Sequence, residues 1–148
     1  MKKHIKEGTG AIILAKDTGR VLFLMRNSLR FNGCWGWPGG KVEQSETVYG
    51  ALLREITEEI GGVPEVEKVY PLDLYTSDDL RFFYHTFVIV TPNEFIPTLN
   101  HEHSGWAWCK LDQWPKPIHP ALKETLTNPT IKSKISTIEL LYQSSTIS

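Results

Sequence analysis

One stretch, Thr47 to Ile60, constrains this chain more than any other. Tyr49, Leu52, Leu53, Ile56 and Ile60 recur at the ~100° per residue of an α-helix and fall on one side of it. Gly61-Gly62 supplies a stop, and Pro64 prevents continuation. Within the helix, Arg54-Glu55-Ile56-Thr57-Glu58-Glu59-Ile60-Gly61 sets Glu55, Glu58 and Glu59 at i, i+3 and i+4. Three carboxylates therefore project from one side, beside the apolar stripe. Like charges at this spacing each cost a helix ~0.2–0.5 kcal/mol. The macrodipole also disfavours anions in the last turns. Arg54 offsets part of this by pairing with Glu58 at i+4. Two readings explain such an arrangement. One is a solvated acidic face. The other is a site for a hard divalent cation such as Mg²⁺, which takes oxygen ligands and is usually shared with substrate phosphates. Trp37-Pro38-Gly39-Gly40, just ahead of the helix, favours the second. Its glycines let backbone groups approach a metal or a phosphate closely.

Composition bounds the rest. The 148 residues fit one domain, and a chain of this size buries roughly 70% of the surface it exposes when unfolded. Sixteen Lys and Arg balance seventeen Asp and Glu, for a net charge of -1. A broad electrostatic footprint for long nucleic acid is therefore not expected, although a narrow phosphate site needs only a few residues. No run approaches the ~20 apolar residues of a membrane span. After Met1-Lys2-Lys3 no apolar stretch of a leader follows before Glu7 and Gly8. Cys34 and Cys109 form no CxxC pair, and they read as two free thiols in a reducing cytoplasm.

Along the chain, Gly10–Ala15 and Val21–Met25 are short apolar runs separated by the turn Asp17-Thr18-Gly19-Arg20. They read as a hairpin. Asn27 to Gly40 reads as a loop. Val66–Tyr75 and Leu80–Val90, rich in β-branched and aromatic residues, form a second expected hairpin around Ser77-Asp78-Asp79. Trp106–Leu111 is a further short strand, with Trp106 and Trp108 on one face as packing residues. His119–Leu126 and Ile131–Tyr142 are helix candidates after the rigid Trp114-Pro-Lys-Pro117. The order predicts a mixed α/β layered domain.

Taken together, Gly40 to Gly62 resembles the Nudix box, the pattern G-x5-E-x7-R-E-U-x-E-E-x-G-U of the Nudix hydrolases, where U is bulky and apolar. Glu46 follows Gly40 after five residues, and Arg54-Glu55-Ile56-Thr57-Glu58-Glu59-Ile60-Gly61 completes the fixed letters. The departure is the final U, which is Gly62 here. The resemblance implies one Nudix domain over 1–148: an α/β/α sandwich with a mixed sheet and a loop-helix-loop metal site. It implies a Mg²⁺-dependent (or Mn²⁺-dependent) pyrophosphohydrolase that cleaves the diphosphate of a nucleoside diphosphate derivative. Glu55, Glu58 and Glu59 match the metal-binding glutamates, and the Gly40 carbonyl matches a further ligand. Arg54 and Glu46 match the pair that braces the box. A nucleotide-sensing domain without catalysis is the alternative, but such domains usually show eroded glutamates and this chain keeps them.

In that reading the general base is a box glutamate or one from a later loop, and Glu102 in Leu99-Asn-His-Glu-His103 is the later candidate. Its competing reading is a solvated loop carboxylate. His101 and His103 lack the i, i+4 spacing of a zinc helix. Arg26 can aim its guanidinium at a phosphate or stand as a surface charge, and Arg30 and Lys41 are weaker phosphate candidates. Trp35, Trp37, Tyr75 and Phe83 are available to stack on a base. Neither subfamily marker after the box, a Pro for ADP-ribose or a Tyr for diadenosine polyphosphates, falls in the window Ser77-Asp78-Asp79. The expected partner is a small nucleotide-type substrate, not long nucleic acid or membrane. A homodimer is compatible with the sequence.

Overall fold

The first long strand, β1 (Lys6–Ala15), is apolar on both sides from Ala11 onward, and such a strand has to be covered on both faces. A computed structural model describing residues 5–145 shows how this is done. Met1-Lys2-Lys3 lies outside the described residues. Ile12 and Leu14 point into one cluster with Val21, Phe23, Val88 and Val90. Ala11, Ile13 and Ala15 point into the other with Leu22, Leu24 and Ile89. The strand period of two thus feeds two cores.

Helix α1 (Val48–Ile60) closes the second core with Leu52, Ile56 and Ile60. Helices α2 (Pro120–Thr127) and α3 (Pro129–Ser145) close the first with Leu126, Ile131, Ile135 and Ile138. The result is the expected α/β/α sandwich.

Six further strands complete the sheet among the described residues: β2 (Val21–Arg26), β3 (Trp35–Gly36), β4 (Gly39–Lys41), β5 (Lys68–Thr76), β6 (Phe82–Thr91) and β7 (His103–Cys109). The path β3-β2-β1-β6-β5 is mixed. β1 runs parallel to β6 over ten residue pairs, and the other pairings are antiparallel. β4 also pairs with β1, and β7 with β2.

Both expected hairpins form, as β1–β2 and β5–β6. The segment Asn27–Gly40 is more than a loop, because it contains β3 and part of β4. These strands are too short to show a period, and only pairing with β1 and β2 creates them. The strand expected at Trp106–Leu111 runs from His103 to Cys109 instead. Trp108 is buried against Phe95, with ring centroids 5.4 Å apart, whereas Trp106 is partly exposed.

The face assigned to α1 also needs correction. Tyr49 and Leu53 are 40% and 41% exposed, while Ala51 and Glu59 are buried with Leu52, Ile56 and Ile60. The buried arc is therefore rotated so that Glu59 falls within it. Thr47 caps the helix, its hydroxyl accepting the Gly50 N–H at 3.0 Å. At the other end the Gly61 and Gly62 N–H groups donate to the carbonyls of Thr57 and Ile56. Both glycines have positive φ, 80° and 96°, in this Schellman-type stop. That conformation accounts for the glycine standing at position 62 in place of a bulky residue.

Candidate active site

The site begins where β4 meets β1. Gly10 lies opposite Gly39, and Thr9 opposite Gly40. A Cβ on Gly39 would collide with the Thr9 carbonyl, and one on Gly40 would collide with the Glu55 carboxylate. Only glycine allows β4 to press against β1 and α1 at once. The payoff is close approach of the Gly39-Gly40 backbone to the glutamates. The Gly39 N–H donates to Glu59 Oε2 at 2.8 Å.

Arg54 braces the loop ahead of the helix. Its Nε and Nη2 donate to the two oxygens of Glu46 at 2.8 and 2.9 Å, the forked geometry typical of an Arg–carboxylate pair. Nη2 also donates to the Lys41 carbonyl at 2.9 Å, and Nη1 to Glu55 Oε1 at 2.9 Å. The guanidinium holds the Glu46 carboxyl down at about 2, chiefly through these hydrogen bonds. The same carboxylates raise the pKa of Arg54. One side chain therefore ties the loop, the β4 backbone and a box glutamate together.

Glu55, Glu59 and Glu102 each bring a carboxylate oxygen within 4.8 Å of the others. Glu59 is only 4% exposed. Its burial pushes its pKa up to about 8, against the Gly39 hydrogen bond, and the charges of Glu102, Glu55 and Glu58 push the same way. Glu55 is also raised, first by burial. His103 Nδ1 is buried without a hydrogen-bond partner, 3.8 Å from Glu59 Oε1, and burial lowers the histidine's pKa. Converging carboxylates in a buried corner repel one another unless a cation stands among them. All-oxygen donors suit a hard divalent ion, so the residues present fit the metal implied by the sequence.

Glu58 stands apart from this cluster. Its side chain is 53% exposed, and its carboxylate lies 3.4 Å from Arg54 Nη1. The i, i+3, i+4 spacing places three glutamates on one helix side, but the fold buries only Glu59 deeply and substitutes Glu102 from the β6–β7 connection.

A cleft of about 1100 Å³ opens from this corner. Glu59, Gly39, Gly40 and His103 line its acidic end, and Arg26, Arg30 and Lys41 bring positive charge to its walls. Tyr75, Phe82 and Tyr84 form an aromatic face, with Tyr75–Phe82 and Phe82–Tyr84 centroids 6.2 and 6.3 Å apart. The Tyr84 ring fits because Gly8 and Gly10 carry no Cβ beneath it. Burial, and then the nearby Glu59 charge, push its pKa up to about 12. Phe31 and His119 face each other across 4.3 Å on another wall.

Of the residues named from sequence, Arg26, Arg30, Lys41, Trp37 and Tyr75 line the cleft. Trp35 does not. It packs against the first core, and its N–H and carbonyl hold the backbone of Pro117 and His119. Phe83 also lies outside the walls, because strand alternation turns Phe82 and Tyr84 inward and Phe83 away. Tyr84, Phe82, Phe31 and His119 join the walls with no expectation from the sequence behind them. The alternating Phe82-x-Tyr84 is the signal the sequence carries for two of them, and its facing depends on the parallel register of β6 with β1.

The NUDIX domain family model matches residues 5–128. The chain belongs to the NUDIX family. Relatives within the family are similar over part of their length. The ADP-ribose pyrophosphatase of Methanocaldococcus jannaschii is 43% identical over 67 residues, covering 45% of this NUDIX chain and 38% of that protein. The nucleoside triphosphatase NudI of Escherichia fergusonii is 34% identical over 91 residues, covering 54% of this chain and 64% of that protein. The chain thus spans less than two thirds of either curated relative. Among solved structures, the MutT NUDIX hydrolase from Burkholderia pseudomallei superposes with a TM-score of 0.64 at 30% identity. That match covers 82% of this chain and 95% of the other. The NUDIX box therefore sits in the fold expected of it. No helix among the described residues is long and apolar enough to cross a membrane.

Proposed function

We propose that this NUDIX protein is a Mg²⁺-dependent pyrophosphohydrolase, with Mn²⁺ able to substitute, acting on a small nucleoside diphosphate derivative in the cytoplasm. The observation that carries this reading is the convergence of Glu55 and Glu102 on Glu59, which lines the end of a cleft with cationic and aromatic walls. Glu55, Glu59 and Glu102 would hold the ion, together with the Gly40 carbonyl. Glu58 becomes available once it parts from Arg54. When bound, a divalent cation neutralises phosphate oxygens and makes a coordinated water more acidic.

The chain's own groups supply the rest. Arg26 and Lys41 meet the phosphates from the walls, where a guanidinium offers several donors to their oxygens. Tyr75 and Phe82 offer ring faces for a base. Arg54 fixes Glu55, so that carboxylate needs no reorganisation when substrate arrives. The proton of the attacking water passes to a carboxylate of the set, with Glu102, the more exposed member, as the acceptor.

The curated relatives' names point to ADP-ribose and nucleoside triphosphates as first substrates to try. A nucleotide panel with Mg²⁺ or Mn²⁺, following release of phosphate or nucleoside monophosphate, tests the reading. Glu59→Gln is expected to lower turnover by about 10² or more while the protein stays folded. Equal turnover in wild type and variant, or tight nucleotide binding with no turnover under either metal, overturns it.

A further inference from the structure

Glu102 reaches the carboxylate cluster from an exposed connection, while Glu55 and Glu59 stand on a rigid helix. A long carboxylate on a loop meets two helical ones only if the loop is held. Three of the contacts that hold it come from one residue, Asn100. The Asn100 N–H donates to the Glu59 carbonyl at 3.3 Å. Its side-chain oxygen accepts the Glu102 N–H at 3.0 Å. The amide oxygen is committed to that bond, so the amide nitrogen is the donor toward Glu102 Oε2, at 3.4 Å. Asn100 therefore touches the last turn of α1, the Glu102 backbone and the Glu102 carboxylate.

Neighbouring bonds fix the same segment from both sides. The Thr98 N–H donates to the Ile60 carbonyl at 3.0 Å, which satisfies an otherwise orphaned group at the helix end. From the end of β2, the Asn27 N–H donates to the Glu102 carbonyl at 2.8 Å, and the Asn27 amide donates to the His101 carbonyl at 3.0 Å.

We propose that Asn100 is a positioning residue that docks the Glu102 loop onto the end of α1 and presents the Glu102 carboxylate to Glu55 and Glu59, with Asn27 as its support. This rests on the reading of Glu102 as part of the cation site. Asparagine suits the task because its short amide closes a local turn onto the backbone two residues on and keeps a donor for the carboxylate.

Mn²⁺ titration of the whole chain, following loss of the free-ion electron paramagnetic resonance signal at fixed pH, tests this without any substrate. Asn100→Ala is expected to weaken Mn²⁺ binding by about 10- to 100-fold, the scale of losing a group that orients a ligand. Asn100→Ser, whose hydroxyl can still accept the Glu102 N–H, is expected to recover part of the loss. In a Glu102→Gln background, Asn100→Ala is expected to change little further, because its effect runs through Glu102. If Asn100→Ala does not fold, Asn100→Ser carries the test: it keeps an acceptor for the Glu102 N–H but lacks the amide donor toward the carboxylate, so Mn²⁺ binding weaker than wild type is expected, and wild-type affinity there overturns the inference. Wild-type affinity in Asn100→Ala beside weakened binding in Glu102→Gln overturns the inference alone. An equal loss from Asn100→Ala in both backgrounds also overturns it. Unchanged affinity in Glu102→Gln removes Glu102 from the cation site, and the inference falls with that reading.

Discussion

At the scale of single residues, the site is made by what is missing as much as by what is present. Gly40 has no Cβ, and that absence lets β4 lie against the Glu55 carboxylate, whose oxygens would otherwise stand 2.6 and 2.7 Å from a methyl group. Gly40→Ala is expected to displace Glu55 from Arg54 and to weaken Mg²⁺ binding, as measured by calorimetric titration. The fold is expected to survive, because the clash is with a side-chain end that can move. Gly39 differs, since a Cβ there meets the backbone of Thr9 and Gly10. Unchanged Mg²⁺ affinity in Gly40→Ala would show that the close approach has no bearing on the metal.

At the scale of elements, α1 carries both a core face and a chemical face, and its ends set its rotation. Thr47 caps one end, and the Gly61-Gly62 stop closes the other. With no acidic residue in its first turn and no basic residue in its last, the helix gains nothing from the macrodipole. It also carries the Glu55–Glu59 repulsion. The cap therefore matters more than usual. Thr47→Ala is expected to lower stability by about 1 kcal/mol in urea unfolding with the slope unchanged. No shift in midpoint would mean the helix end is held by Arg54–Glu46 instead. The sequence period predicted this helix and its two ends closely, because caps and stops are local chemistry. It misjudged the face, placing Tyr49 and Leu53 inside and Glu59 at the edge. A period reports amphipathicity, whereas the depth of each position depends on the sheet beneath it.

At the scale of the whole molecule, the buried carboxylates link stability to pH and metal. Glu59 in the folded chain has its pKa pushed up to about 8 from an ordinary 4.5, so the native state holds a proton that the unfolded chain has already released. That stabilising contribution is complete below the unfolded value and is lost as pH rises through about 8. His103 works in the opposite direction, but only below its ordinary 6.5. Between about pH 7 and about pH 8.5, the melting temperature of the metal-free protein is therefore expected to fall. Saturating Mg²⁺, which favours the ionised carboxylate, is expected to raise the melting temperature and flatten that fall. Parallel pH profiles with chelator and with Mg²⁺ would contradict the coupling of Glu59 to the cation.

The Arg54–Glu46 brace is implied by the resemblance to the Nudix box. Local chemistry is legible from spacing alone: the Glu55/Glu58/Glu59 set, the glycine loop before the helix and the two hairpins. Each of these depends on residues close enough in the chain for spacing to predict contact. Long-range packing sets the rest. It chose Glu102 over Glu58 as the third member of the carboxylate cluster, because the β6–β7 connection docks on the end of α1. It removed Trp35 from the cleft and brought in Tyr84 and Phe82, because β6 lies parallel to β1 in a register that sets Tyr84 over Gly8 and Gly10. Long-range pairing of strands far apart in sequence leaves no period to read, and in this protein such pairing forms the cleft walls.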